Sequence, residues 1–437
     1  MIGYRIKVTG LVQGIGFRPF VAELAEELHL AGQVKNLGGI VEIIVFGTDK
    51  AMDMFIHRLN LMCEKTSEHL VFSEQFPVLG GCRIDSIEIQ SISDNAFFIQ
   101  ENGIQENHFQ IVESGNTKER KRFLPVDLSI CDRCRSELYD KKNRRYRYPF
   151  ISCTACGPRF SIQTSVPYDR NTITMDIFPM CEDCKQEYTQ KGNIRRHAQT
   201  ISCHNCGPIL EYKTIVTDDY FNINKYNKFN YKSNFENVEF IDSFQEKTYI
   251  QQKAIFSAIS DLKNGKIGAM KDIGGFHFAF SPYFEETAKR LRAFKNRDKK
   301  PFAVMFSSLD MVKEYCEVSH IEEKLLLSNE RPIVLLKKKK DFVSEICGES
   351  DRMGVLLPCN PLQILLLEEL GVFVMTSGNR GGEPIIISEK EMEQYLGNGI
   401  DFMLSHNREI LTPLDDSIYQ VVGEKVQIIR QVSPLRR

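Results

Sequence analysis

Eight of the thirteen cysteines in the 437-residue sequence form four Cys-x-x-Cys pairs: Cys131/Cys134, Cys153/Cys156, Cys181/Cys184 and Cys203/Cys206. Thiolates are soft ligands, and four at tetrahedral corners suit zinc. Adding 50 to each of the first four positions gives the second four, and Ile-Ser-Cys and Cys-Gly-Pro recur in both copies. A fixed offset at four positions is an internal duplication. The spacing predicts two structural zinc sites with every ligand a thiolate and no open coordination position. Pairing within each repeat is the simplest arrangement, and spacing alone leaves exchange between repeats open. Four redox pairs in register are not needed for thiol chemistry. Cys63, Cys82, Cys316, Cys347 and Cys359 show no spacing pattern and read as ordinary thiols.

Two further stretches could do chemistry. In Val12-Gln-Gly-Ile-Gly-Phe-Arg-Pro-Phe20, Gly14 and Gly16 let backbone N–H groups converge, and Pro19 suits a first helical turn. With a helix N-terminus this makes an anion cradle, to which Arg18 adds a guanidinium that can bind two phosphate oxygens. The second stretch is scattered: Lys271-Asp-Ile-Gly-Gly-Phe276, Lys295-Asn-Arg297-Asp-Lys-Lys300-Pro301, Arg331-Pro332, and Thr376-Ser377-Gly-Asn379 before Gly382-Glu-Pro384. Lys and Arg can neutralise a triphosphate, glycines admit its close approach, and Ser and Asn can hold small polar groups. The run Lys337–Lys340 reads as a solvated strand end.

These residues need scaffolds. Residues 1–115 read as strand (IGYRIKVTG), helix (19–30), strands QVKNL and IVEIIVFG, helix (49–62) and strand RIDSIEIQSI, with 64–82 an insertion. That βαββαβ order is ferredoxin-like. Residues 125–210 hold the two cysteine repeats. Residues 211–247, rich in Asn, Lys, Tyr and Phe, read as a variable linker. Helix and strand signals alternate over 248–425, an α/β domain. The fold class is therefore α+β and α/β multidomain. Net charge is −2, which excludes a polybasic nucleic-acid coat. The Arg-rich cysteine block (Arg144, Arg145, Arg147, Arg195, Arg196) reads as packing plus handling of anions, and nucleic acid is not an expected partner. No run approaches 18 apolar residues, so no membrane span is expected, and the N-terminus lacks a signal-peptide core. A reducing, cytoplasmic setting is expected.

The N-terminal loop resembles the acylphosphatase signature, and Val34-Lys-Asn36-Leu-Gly-Gly-Ile-Val-Glu42 resembles that family's second motif. The resemblance implies that Arg18 binds an acyl phosphate and Asn36 orients the attacking water. The C-terminal segments resemble a YrdC/Sua-type domain, which binds ATP in a positively lined concave sheet. The order of the three regions, with IGGFHFA, KKPFAVMF, RPIVLL, MTSGN and HNREI, resembles the HypF family of hydrogenase-maturation carbamoyltransferases. The resemblance implies cleavage of carbamoyl phosphate, then formation of carbamoyl adenylate from carbamate and ATP, with Mg2+ accompanying the nucleotide. It also implies a HypE-like maturation protein as partner, whose cysteine receives the carbamoyl group for cyanide-ligand synthesis. The family pattern continues into a transferase domain, so final transfer is expected to need a separate chain. Phe294 stands where the family has Arg, Cys359 and Gln363 where Tyr and His are usual, and Pro413 where Arg precedes Asp-Asp-Ser. Two alternatives stay open: a non-catalytic scaffold or degenerate fragment, and a threonylcarbamoyl-AMP synthase.

Overall fold

The structure is a computed structural model that describes residues 2–65, 83–93, 99, 104, 108–115, 126–214, 243–297 and 299–431. Most of the expected insertion at 64–82 and most of the expected linker lie outside these residues. The chain folds into two compact units, residues 1–128 with 152–201, and residues 129–151 with 202–437.

In the first unit, alternation in β1 (Ile2–Leu11) buries Ile6 and Val8, which lie opposite Ile43 and Val41 of β3 (Ile40–Gly47). Between them in sequence come α1 (Phe17–Glu27) and β2 (Ala31–Asn36). Phe17, Val21, Leu24 and Ala25 recur at helical spacing and form the buried face of α1. α2 (Asp49–Lys65) and β4 (Arg83–Ser91) complete βαββαβ. A short β5 (Phe109–Ile111), not legible in the sequence, adds a parallel edge to β2, and the sheet order is β4-β1-β3-β2-β5. Gly32 fits only as glycine: a Cβ there would stand 2.0 Å from the Ile44 carbonyl oxygen. Residues 152–201 add two 3-10 turns, Phe160–Ile162 and Arg170–Thr172, around a small core of Ile162, Tyr168, Ile173, Met175 and Phe178.

The cysteine block does not form a third unit, because its chain is divided between the two. The repeats nevertheless share one design. α3 (Asp132–Tyr139) and α4 (Glu182–Thr189) each begin right after a cysteine, with acidic residues in the first turn. Fifty residues apart, Arg147 (φ 53°) and His197 (φ 54°) take the left-handed conformation, and their N–H groups donate to Leu138 and Tyr188 carbonyls, both at 2.9 Å. Arg145 and Arg195 reach across the duplication reciprocally: Arg145 Nε donates to the Ser202 carbonyl (2.8 Å), and Arg195 Nε donates to the Ser152 carbonyl (3.1 Å).

The second unit is built on a ten-stranded sheet in the order β15-β14-β10-β11-β9-β12-β8-β7-β13-β6. These strands are β6 (Leu210–Thr214), β7 (Gly268–Lys271), β8 (Phe276–Phe280), β9 (Ala303–Phe306), β10 (Ile333–Lys337), β11 (Arg352–Leu356), β12 (Val372–Ser377), β13 (Phe402–His406), β14 (Ile418–Val422) and β15 (Lys425–Arg430). β6 pairs with β13, so residues 211–214 belong to the sheet and not to a linker. α5 (Ser243–Lys263) likewise starts before residue 248. α6 (Glu285–Lys295) and the helix Pro361–Leu370 lie among the other helices, and Phe276, Phe278, Phe280, Phe302 and Phe306 form the aromatic centre of the core. Cys316 and Cys347 are buried there, where burial pushes both thiols up, to about 12 and about 11. Among the described residues no helix is long and apolar enough to cross a membrane.

Arg145 is almost wholly buried, and its removal takes away the hydrogen bond to the Ser202 carbonyl. Arg145→Ala is expected to cost about 2 kcal/mol, which lowers Tm by about 4–8 °C. Thermal unfolding with metal content held constant checks this.

Candidate functional site

The sulfurs of Cys131, Cys134, Cys153 and Cys156 lie within 4.8 Å of one another, as do those of Cys181, Cys184, Cys203 and Cys206. The ligands therefore group within each repeat, which settles what spacing left open. Four sulfurs bound to one zinc ion at ~2.3 Å stand about 3.8 Å apart. Cys153 and Cys156 are separated by 3.7 Å, and Cys203 and Cys206 by 3.8 Å. Both groups fit a closed tetrahedral zinc site. Arg144 Nη2 donates to Cys203 Sγ at 3.0 Å, a cation beside one sulfur of the second group.

The first unit carries a cleft over the 12–19 loop. Its floor is Val12, Gln13, Gly14, Gly16, Phe17, Arg18 and Pro19, and its wall is Thr154, Arg159, Tyr168, His197, Ala198 and Gln199. Gly14 (φ 70°) and Gly16 (φ 84°) hold the left-handed turns that let the loop enter α1, and Gly16 caps that helix. Arg18, the second residue of α1, is held on three sides. Nη1 donates to Ser114 Oγ (3.0 Å) and Nη2 to Asp169 Oδ1 (2.5 Å). With its oxygen turned toward the guanidinium, the Asn36 amide accepts from Nε and Nη2, each at 3.1 Å. Gly14, Gly16, Arg18 and Asn36 are thus brought together. The sequence reading missed Asp169, Arg159 and His197. Arg159 Nε donates to the Gly14 carbonyl, tying the loop to residues 152–201, and Asp169 pairs with Arg18. The available signal was divergence inside the duplication, since His197 stands where the first copy has Arg147.

On the second unit's sheet, α6 delivers Lys295. Its ammonium donates to the carbonyls of Ser377 and Asn379 and to Asn379 Oδ1 (3.1 Å). Burial, reinforced by Arg297 and Lys300, pulls its pKa down to about 7 against the pull of Asp415. Arg297 donates to Thr376 Oγ1 (3.1 Å) and to the carbonyls of Lys300 and Pro301. Burial lowers Lys300 as well. Lys295, Arg297, Lys300, Thr376, Ser377 and Asn379 therefore form one cationic cluster. Lys271 makes other contacts, with Glu389 (3.2 Å) and the His406 carbonyl (2.9 Å). Arg331, left-handed at φ 45°, donates to the Leu326 carbonyl, and burial lowers its pKa. The sequence reading also missed Asp415, whose charge acts on Lys295, Arg297 and Lys300.

The departing residues have defined places. Phe294 packs edge-on against Phe278 and Tyr395 as part of the core. Gln363 Nε2 donates to Asp272 Oδ2 (2.5 Å), Asn360 donates to Asp272 Oδ1, and the Cys359 N–H donates to Gln363 Oε1 (2.7 Å). These contacts satisfy a carboxyl that burial pushes up. Next to Pro413, the Leu414 N–H donates to the Gly274 carbonyl (2.9 Å). Arg430 pairs with Asp415 (2.5 Å) and donates to the Asp416 carbonyl.

Three family models match the chain: acylphosphatase over 4–68, the HypF finger over 130–163 and 180–212, and the Sua5/YciO/YrdC model, described as telomere recombination, over 260–432. HypF of Methanocaldococcus jannaschii is 39% identical over 98% of this chain and 49% of its own length. The carbamoyltransferase HypF of Synechocystis is 38% identical over the same shares. A crystal structure of full-length HypF in a phosphate- and nucleotide-bound form superposes with TM-score 0.80 at 36% identity, over 98% of this chain and 50% of that one. The chain belongs to the HypF family. It spans about half the length of the HypF relatives it matches. HypF of T. kodakarensis superposes with TM-score 0.78 at 34% identity.

Cys153→Ser removes one ligand of one group only. Elemental analysis is expected to give two zinc ions per wild-type chain and about one per variant chain. Two ions in the variant would contradict the four-cysteine assignment.

Proposed function

We propose that the first-unit cleft hydrolyses carbamoyl phosphate and that the second unit's cationic cluster joins the released carbamate to ATP. The observation that carries this reading is Arg18, held beside Asn36 over a glycine loop at a helix N-terminus. Arg18 and the loop N–H groups of Gly14 and Gly16 bind the phosphoryl oxygens. Asn36 orients a water whose oxygen attacks phosphorus, the bond from phosphorus to the carbamate oxygen breaks, and phosphate and carbamate leave. In the second step a carbamate oxygen attacks the α-phosphorus of ATP and pyrophosphate departs, giving carbamoyl adenylate. Lys295, Arg297 and Lys300 offset the triphosphate charge, with Lys271 and Arg331 as further cations of that unit, and Thr376, Ser377 and Asn379 hold polar groups of the ligands. Mg2+ accompanies the ATP phosphates. The two zinc ions are structural, because four thiolates leave no open position.

The adenylate serves [NiFe]-hydrogenase maturation, where the carbamoyl group passes to a cysteine of a HypE-like protein through a further transferase domain or chain. Eight metal-binding thiolates suit a reducing cytoplasm. The segments we assign to these roles are 1–115, 125–210 and 248–425, with β6 and the start of α5 joined to the last.

Carbamoyl-phosphate-dependent ATP–pyrophosphate exchange tests this. Zinc-loaded protein is expected to catalyse exchange, and Arg18→Ala to lose it by about a hundredfold or more with carbamoyl phosphate. Exchange that required threonine and bicarbonate instead would favour threonylcarbamoyl-AMP synthesis, and no exchange at all would favour a scaffold.

The lowered pKa of Lys295 gives a signed pH dependence. Below about 7 the ammonium is charged before ATP arrives, and above it binding must bring a proton. Calorimetry in buffers of different ionisation enthalpy is expected to show uptake of about one proton per ATP at pH 8 and almost none at pH 6, with affinity falling as pH rises. Equal uptake at both values would contradict this.

A further inference from the structure

The wall that residues 152–201 add to the acyl-phosphate cleft has five polar side chains, and four are already engaged. Thr154 Oγ1 donates to the Ile194 carbonyl (3.1 Å). Arg159 donates to the carbonyls of Gly14, Pro158, Cys153 and Thr154. Tyr168 Oη donates to the Pro158 carbonyl (3.3 Å). Gln199 exchanges hydrogen bonds with Tyr188 and donates to the His197 carbonyl (2.8 Å). The imidazole of His197 has no hydrogen-bond partner among the described residues, although it lines the cleft.

Its backbone makes this harder to dismiss. A left-handed non-glycine residue is held there at some cost, and such positions cluster where a side chain has a task. The duplication supplies a control. Arg147, at the same place and with the same φ, uses its projected side chain to pair with Glu368 (2.5 Å) and Gln252 (2.8 Å). In the second copy the same device places the His197 ring beside Arg18, packed against Tyr188 (ring centroids 4.9 Å) and with no hydrogen-bond partner among the described residues. Burial, then Arg18 and Arg196, push the imidazole's pKa down to about 4 against the opposing pull of Asp169. It is therefore neutral and keeps a lone pair. Asp169 is a second acceptor in this neighbourhood, with Oδ1 on Arg18.

We propose that His197 is the specificity-determining residue of the cleft, accepting a hydrogen bond from the amino group of a carbamoyl phosphate. A methyl group in that place, as in acetyl phosphate, has nothing to donate and leaves the acceptor unpaired. Sites that hydrogen-bond a substrate N–H reject the analogue lacking it far better than apolar pockets sort by size. This inference rests on the acyl-phosphatase reading above and adds to it what selects the acyl group.

The test compares phosphate release from carbamoyl phosphate and acetyl phosphate by the full, zinc-loaded chain. His197→Gly keeps the left-handed backbone and removes the imidazole; His197→Asn keeps that backbone and a carbonyl acceptor. His197→Gly is expected to lower kcat/KM for carbamoyl phosphate about tenfold or more and to leave acetyl phosphate within about twofold, with His197→Asn restoring much of the preference. Equal losses on both substrates, or no loss on either, overturn the assignment while leaving the cleft's activity standing. Wild-type protein that cleaves neither substrate removes the underlying reading, and this inference with it. Should His197→Gly not fold, the ring nitrogen NMR shifts of His197 in the wild-type chain decide. They are expected to move with carbamoylphosphonate and not with acetylphosphonate, and an equal response to both contradicts the proposal.

Discussion

Four cysteine sulfurs within 4.8 Å of one another can all be ionised only with a cation between them, because four thiolates that close repel strongly. The chain builds this arrangement twice. Around them the block buries Leu138, Tyr148, Phe150 and Ile151, and a cluster of five residues around Tyr168. A metal ion bound in each group would add to the free energy that orders the block. Much of the rest of the block's order depends on that constraint. The left-handed positions at 147 and 197, the reciprocal Arg145 and Arg195 hydrogen bonds, and the turn that carries Asp169 all lie within or between segments that the two metal groups fix.

The duplication explains how one motif serves different purposes. Shared positions keep the frame: Asn143 and Asn193 each accept from the N–H two residues on, and Arg145 and Arg195 clasp the opposite copy. Positions that differ between copies face different surroundings. Arg147 meets Glu368 and Gln252 in the second unit, whereas His197 lies beside Arg18 in the first. Arg196, where the first copy has Tyr146, meets Glu23 and Glu26 of α1.

The sequence made the cysteine groups and the βαββαβ order readable, because ligand spacing and side-chain alternation are local signals. It did not reveal β5 or β6, edge strands of three and five residues whose pairing is decided by distant partners. Asp169 and His197 escaped for the same reason: they lie 151 and 179 positions from Arg18, and only the folded block brings them to the cleft. Phe294 looked like a lost site residue, yet its ring fills an apolar niche against Phe278 and Tyr395. Cys359 and Gln363 looked like losses too, and instead they complete the hydrogen bonding around Asp272. A departure from a motif reads as a defect in one dimension, and only packing shows what the new side chain does.

Segment 152–201 grips the Arg18 loop through Arg159 and Asp169 and, on the reading proposed above, fixes its shape for an anion. Backbone hydrogen exchange before and after zinc removal by a chelator tests it most directly. Protection of residues 12–19 is expected to fall together with that of 159–173, because Arg159 and Asp169 grip Gly14 and Arg18. A loop that kept its protection after 159–173 had lost theirs would contradict the account.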